Sequence, residues 1–192
     1  MAERSTYPHL MLLGDAGTGK TCLLKQYTDK TFLKEPPAST GLDHKRIKYK
    51  NSLDEIVDIK VWDPVCNSRM ISVVQTFFKT NNGYLLVFDI TNPESFEGVK
   101  KYLQLIAKHG DAETPKLLVG NKLDLEHLRK VKQEDAMTFA AENEMEYIEV
   151  SAKNKEKVET IFEKILESTY QYFLKSGKKD IKSFMLRADG GK

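Results

Sequence analysis

One segment, Gly14-Asp15-Ala16-Gly17-Thr18-Gly19-Lys20-Thr21, constrains this 192-residue chain more than any other. It joins a short apolar run, Leu10-Met11-Leu12-Leu13, to a stretch from Lys20 to Tyr27 that reads as a helix. The run reads as a buried strand, so the segment is a strand-to-helix turn matching G-x-x-x-x-G-K-[ST]. Gly14, Gly17 and Gly19 let the backbone curl so that successive N–H groups point inward at an anion. The helix N-terminus adds partial positive charge. Lys20 supplies a point charge suited to β- and γ-phosphates, and the Thr21 hydroxyl can ligate magnesium. Asp15, Ala16, Thr18 and Cys22 fill the remaining positions around the curl. Such a turn cradles the phosphates of a nucleotide but does not choose between ATP and GTP.

The rest of the chain alternates short apolar runs with longer amphipathic stretches, which implies an α/β layered fold with a mostly parallel sheet. Strands are expected at 43–50, 55–62, 84–88, 116–120 and 147–150. Helices are expected at 69–79, 94–108, 132–143 and 155–174, the second opened by Asn92-Pro93-Glu94. In the strand at 55–62, Val57, Ile59 and Val61 alternate with Asp58, Lys60 and Trp62, as a sheet with unlike faces requires. In the last helix Val158, Ile161, Phe162, Ile165 and Thr169 share a face, which suits core packing or, less simply, a partner. Residues 176–192 shift to Gly, Lys and Asp, so one domain is expected over 6–175. The tail reads as a mobile segment, although Ile181, Phe184, Met185 and Leu186 leave a docking role open.

Composition narrows the function classes. A net charge of +2 argues against a general nucleic-acid binder. Two distant cysteines, Cys22 and Cys66, form neither a disulfide framework nor a zinc pattern, so a reducing, cytoplasmic setting is expected. No apolar run is long enough to span a membrane, and the first residues lack the apolar core of a secretory signal.

The base is addressed by Asn121-Lys122-Leu123-Asp124, which follows the apolar strand ending at Gly120. That places it at the carboxyl edge of the sheet, where ligands bind in open α/β folds. A carboxylate at Asp124 can accept from both N1–H and the exocyclic amine of guanine, and adenine offers no such donor pair. A site built on paired polar groups rejects a base that leaves them unpaired. Ser151-Ala152-Lys153 occupies the matching place after the next strand. Alone, each could be a polar loop; with the phosphate turn they converge on one guanine nucleotide. Asp63, after Trp62, is placed to hold magnesium through water.

Together these motifs resemble the Ras superfamily of small GTPases, and the Rab family within it, over residues 7 to 174. The stretch from Leu86 to Phe96, with Asp89-Ile90-Thr91-Asn92-Pro93-Glu94-Ser95 at its centre, looks like the Rab segment after the fourth strand. The resemblance implies a P-loop NTPase fold: a six-stranded sheet with one antiparallel edge pair, and five helices on its two faces. It implies that Phe32 stacks on the guanine, that Lys122 packs along base and ribose, and that the Ala152 N–H meets the guanine O6. It implies GTP/GDP and Mg2+ as ligands, and an exchange factor, an activating protein and effectors as partners of a monomer in membrane traffic.

The switch loops depart from the pattern. Rabs carry Thr-Ile-Gly in the first loop, and this chain has Ser39-Thr40-Gly41. Counting from the glycine makes Ser39 the magnesium ligand, with Thr40 competing; Pro36-Pro37 stiffens the approach. His44 stands where Rabs place a phenylalanine. The family has Asp-Thr-Ala-Gly-Gln in the second loop, and this chain has Asp63-Pro64-Val65-Cys66-Asn67. Cys66 keeps the glycine's N–H but disfavours φ > 0. Asn67 carries the water-orienting amide on a stem one methylene shorter, and a misplacement of about 1 Å can cost about a hundredfold in rate. Lys20, Cys66 and Asn67 are the candidate catalytic groups, Thr21, Ser39 and Asp63 the candidate metal ligands. Binding is expected to be intact and hydrolysis weak.

These residues admit three functions. A slow Rab-like switch leads, a nucleotide-binding interaction module with negligible hydrolysis shares all its binding motifs, and a P-loop kinase is disfavoured by the guanine motifs. Rabs end in prenylated cysteines and this sequence has none there, so the tail is expected to be shortened, continued elsewhere or unanchored. Lys178, Lys179 and Lys182 could add weak attraction to acidic lipid, which leaves peripheral association with endomembranes open.

Overall fold

The computed structural model describes residues 7–34, 41–66 and 70–176. Six strands and five α-helices alternate: β1 (His9–Leu13), α1 (Lys20–Asp29), β2 (Leu42–Lys50), β3 (Ile56–Pro64), α2 (Ile71–Thr76), β4 (Gly83–Asp89), α3 (Pro93–His109), β5 (Lys116–Asn121), α4 (Gln133–Glu142), β6 (Glu146–Glu149) and α5 (Val158–Lys175). Short 3-10 turns cover Phe78–Thr80 and Leu123–Leu128. The sheet order is β2-β3-β1-β4-β5-β6. Only β2 runs against its neighbour, β3; the other pairs are parallel. The expected α/β fold with one antiparallel edge pair is therefore present.

The pleat sorts the core into two layers. Leu10 and Leu12 of β1 pack with Leu23 of α1 and with Ile161, Phe162 and Ile165 of α5. Met11 and Leu13 face the other way, into the layer that also holds Phe96, Val99 and Ile106 of α3 and Ala136 and Ala140 of α4. β1 and β4 are buried throughout because helices cover both faces. The shared face of α5 is core: Val158, Ile161, Phe162, Ile165 and Thr169 are all buried.

Local chemistry explains the element ends. Asn92 accepts the Glu94 N–H at 3.0 Å, and Pro93 opens α3 at a position where a helix has no use for its missing donor. The β2–β3 hairpin turns on Asn51, whose Oδ1 accepts the N–H groups of Leu53 and Glu55, both at 2.9 Å.

Three elements differ from the sequence expectation by three residues or more, both ends taken together, and one turn was not anticipated. The strand expected at 55–62 runs on through Asp63 to Pro64, because β2 begins early enough to pair Leu42 with Pro64. Asp63 thus lies inside the strand rather than after it. Pro64 is tolerated there because β1 pairs only as far as Trp62, which leaves the proline beside β2 alone. The helix expected at 69–79 is shorter: α2 stops at Thr76, and the Phe78 carbonyl turns to accept the Tyr84 hydroxyl at 3.0 Å. The helix expected from 155 starts at Val158, since Lys155 and Lys157 have φ of 62° and 53° and Ser151 bridges to Glu156. The 3-10 turn at Leu123–Leu128 lacked a sequence signal. Ser39, Thr40, Asn67 and the tail from residue 177 lie outside the described residues.

Candidate nucleotide site

The strand order sets out the candidate groups in a row along one edge of the sheet. Asp63 stands at the carboxyl end of β3 and the glycine turn follows β1. Asn121 closes β5, and Ser151 lies just after β6. β3, β1, β4, β5 and β6 are parallel neighbours in that order, so their carboxyl ends share a rim. The chain leaves β1 toward β3 on one side and β4 on the other, and a crevice opens at such a point.

Two glycines of the turn have no substitute. Gly14 adopts φ 151°, and a Cβ there would lie 2.1 Å from the Val87 carbonyl oxygen. Gly19 adopts φ 92°, and its Cβ would lie 2.3 Å from the Asn121 amide nitrogen. The turn is thus pressed against Val87 of β4 on one side and Asn121 of β5 on the other. Lys20 curls back into it and donates from Nζ to the Gly14 and Asp15 carbonyls at 2.7 and 3.1 Å. The lysine is buried, its ammonium held against those two carbonyls.

Thr21 donates its hydroxyl to Asp63 Oδ2 at 2.6 Å. Burial pushes the Asp63 carboxyl up, opposed by the Thr21 hydrogen bond and by Lys20. A hydroxyl and a carboxylate converging beside the phosphate cradle are a donor set that fits a hard divalent cation such as magnesium.

Asn121 joins the two halves. Its Nδ2 donates to the Thr18 carbonyl at 2.8 Å, and its Oδ1 accepts the Ala152 N–H at 3.2 Å. Asp124 Oδ1 accepts the Ser151 hydroxyl at 2.6 Å, and Lys153 Nζ lies 3.7 Å from Asp124 Oδ2. Lys122, at φ 70°, pairs with Asp89 at 2.6 Å. A cavity of about 880 Å³ runs along these groups, with Lys20, Thr21, Asp63, Asn121, Asp124 and Ala152 all on its wall. Its size suits a nucleotide-sized ligand.

The Ras family model matches residues 9–171. The chain belongs to the Ras family. Its relatives there include GTP-binding protein YPT1 of Saccharomyces cerevisiae, 36% identical over 153 residues that cover 80% of this chain and 74% of that protein. GTP-binding protein ypt3 of Schizosaccharomyces pombe is 33% identical over 89% of this chain and 81% of its own. Ras-related protein Rab-30 of Homo sapiens is 35% identical over 80% of this chain and 75% of its own. The fold, with its single antiparallel edge pair, is that of a Ras-family GTPase.

Within this Ras-family site the structure separates the candidates. Ala16, Gly17, Gly19, Lys122, Lys153, Cys22 and Phe32 also line the cavity. Phe32 is 37% exposed there, open to a stacking partner. Asp15, Thr18 and Ser151 stand behind the wall. Asp15 accepts from the Tyr102 hydroxyl at 3.2 Å, Thr18 lends its carbonyl to Asn121, and Ser151 orients Asp124. Cys22 is also a core residue, its thiol donating to the Leu33 carbonyl at 3.4 Å.

Cys66 reaches the cavity wall but is 6% exposed, and its φ is not positive. Burial pushes its thiol up, and Lys20 only partly opposes this, so it carries the character of an ordinary structural thiol. His44 tilts over Trp62 at 5.0 Å, and Phe77 meets the same indole at 5.1 Å. Tyr102 is the site residue that sequence reasoning missed. Its hydroxyl contacts Asp15 and Cys66 from the middle of α3, where no motif marks it. Asp89 lay within the quoted Rab-like stretch, and its acidic side chain beside Lys122 could have been anticipated.

Proposed function

We propose that this chain is a Rab-like switch that binds GTP and GDP with magnesium and hydrolyses GTP slowly. The observation that carries the guanine reading is Asn121, which ties the phosphate turn at Thr18 to the base-reading loop at Ala152 while Asp124 opens onto the same cavity. The backbone N–H groups of Ala16 to Thr21 and the Lys20 ammonium supply the positive field for the phosphates. Asp124 and the Ala152 N–H supply an acceptor and a donor for the guanine edge, and Phe32 supplies an apolar face. Magnesium, held through Thr21, Asp63 and a first-loop hydroxyl of Ser39 or Thr40, would neutralise charge between the β- and γ-phosphates.

The slow step follows from the second loop. Pro64 is locked in register with Leu42, and Cys66 brings a Cβ and a buried thiol where the family has glycine. Asn67 orients water from a shorter stem than the family's glutamine. GTP would therefore persist once bound, and effectors and an activating protein would meet a long-lived bound state. Work at endomembrane surfaces in vesicle traffic is the role this reading implies. Single-turnover GTP hydrolysis of the wild type and Asn67→Gln tests it. A slow wild type accelerated by the substitution supports the reading; a wild-type rate matching ordinary Rab GTPases overturns it.

A further inference from the structure

Arg129 lies outside every motif above, yet all five N–H donors of its guanidinium are engaged. Nε and Nη2 donate to the two oxygens of Glu126 at 2.8 and 2.5 Å. Nη1 and Nη2 donate to the two oxygens of Glu149 at 2.7 and 2.8 Å. Nη1 also donates to the Val131 carbonyl at 3.1 Å. Tyr147 adds its hydroxyl to Glu149 Oε1 at 2.5 Å. The Arg129 side chain is 17% exposed and that of Glu149 is 7% exposed, so this half of the network is largely desolvated, while Glu126 stays 58% exposed. Such networks add little net stability over an apolar replacement, because removing the charges from water offsets their attraction. What they do impose is geometry, since a bidentate fork fixes both planes it joins.

The two carboxylates are placed where that geometry matters. Glu126 is two residues after Asp124 in the same 3-10 turn, and Glu149 is two residues before Ser151. The turn is kinked: Leu125, between Asp124 and Glu126, leaves helical geometry at φ −105° and ψ 29°. One backbone bond, from Leu123 N–H to the Val150 carbonyl at 3.0 Å, crosses from the turn to the strand end. Arg129 adds a rigid strut between the same two segments. Ser151 can meet Asp124 at 2.6 Å only while these segments hold their separation.

We propose that Arg129 is a positioning residue for guanine selection, clamping the Asp124 turn to the Ser151 loop through Glu126 and Glu149. It acts through the orientation of Asp124 and touches no ligand. The proposal rests on the guanine reading above. Loosening the clamp lets the Asp124 carboxylate rotate, so that it no longer meets two donors of one base edge together.

The test uses the full chain loaded with fluorescent GDP and displaced by GDP or by inosine diphosphate, which lacks the exocyclic amine. Wild type should prefer GDP by about tenfold or more, the worth of one hydrogen bond to a charged acceptor. In Arg129→Met, which keeps the apolar stem, the preference should fall to about threefold or less. Arg129→Lys should rescue it poorly, since an ammonium cannot form the fork. A melting temperature measured alongside separates the readings. A lowered melting point with the wild-type GDP preference means Arg129 is merely structural and overturns the proposal. Should Arg129→Met fail to fold, Glu126→Ala, on an exposed side chain, decides by the same ratio. A wild type without preference between the two nucleotides removes the guanine reading and this proposal with it.

Discussion

Thr21 and Asp63, 42 residues apart in sequence, share a 2.6 Å hydrogen bond from hydroxyl to carboxylate. The contact brings the start of α1 against the end of β3 and places Asp63 as an acidic group on the cavity wall. Asp63→Asn would preserve shape and remove charge. GDP release from the wild type should quicken on chelating magnesium, and in the variant that acceleration should shrink by about tenfold, equivalent to about 1.4 kcal/mol. Stopped-flow release of fluorescent GDP with and without chelator measures it. An undiminished chelator effect would remove Asp63 from the metal site.

Asn121 carries two buried partners at once. Asn121→Ala would strand the Thr18 carbonyl and the Ala152 N–H, at a cost of about 1–3 kcal/mol for each group left without a partner. The melting temperature should fall by several degrees and GDP affinity by about a hundredfold. Gly19→Ala should mimic this, because its Cβ would collide with the same amide and φ 92° is strained for alanine. Thermal melts and nucleotide titration of both variants check the pair; unaltered melting of Asn121→Ala would contradict the bridging role.

Cys66 should resist alkylation. Its burial and raised thiol pKa both suppress the thiolate near neutral pH. Iodoacetamide at pH 7.5 should label Cys66 and Cys22 far more slowly in the folded protein than in guanidinium, as followed by peptide mass mapping. Labelling of Cys66 at the rate of a free thiol would show that the second loop does not hold it against the Pro64 carbonyl.

Glu167 anchors the β2–β3 hairpin to α5. Its carboxylate accepts from Tyr49 at 2.7 Å, from the Ser52 hydroxyl at 3.2 Å and from Gln171 at 2.8 Å. Partial burial pushes its pKa up, yet the hydrogen bonds from Gln171, Tyr49 and Ser52 outweigh this and hold it below the ordinary glutamate value. A depressed carboxylate stabilises the fold above its unfolded pKa, and that contribution is lost as pH falls through the folded pKa. Glu167→Gln should therefore cost about 1 kcal/mol at pH 7, after allowance for its partial exposure to solvent, and less at pH 3. Urea unfolding at the two pH values measures it; an equal effect at both would refute the linkage.

Most of the fold was legible because the apolar runs are short and the helices amphipathic, so period and length agreed at β1, β4, β5 and α3. The candidate site was legible because glycines, Lys20, Asn121 and Asp124 are fixed types at fixed spacing. Tyr102 and Arg129 were not legible, since each acts across the fold on a partner far along the chain, and neither spacing nor periodicity encodes that. The extension of β3 through Pro64 was hidden for a similar reason. A proline argues against a strand until its pairing is known to be one-sided.

That one-sided pairing has a mechanical meaning. Leu42 faces Pro64 across the last rung, and the Val65 N–H reaches the Gly41 carbonyl at 3.0 Å just beyond it. Residues 35–40 lead into one side of this rung, and residues 67–69 lead out of the other. The inner ends of both switch loops are thus teeth of one zipper, with its slider at Gly41 and Val65. Any displacement of Gly41 against Val65 must break that bond. Two segments that look separate in sequence are thus tied together at a single rung.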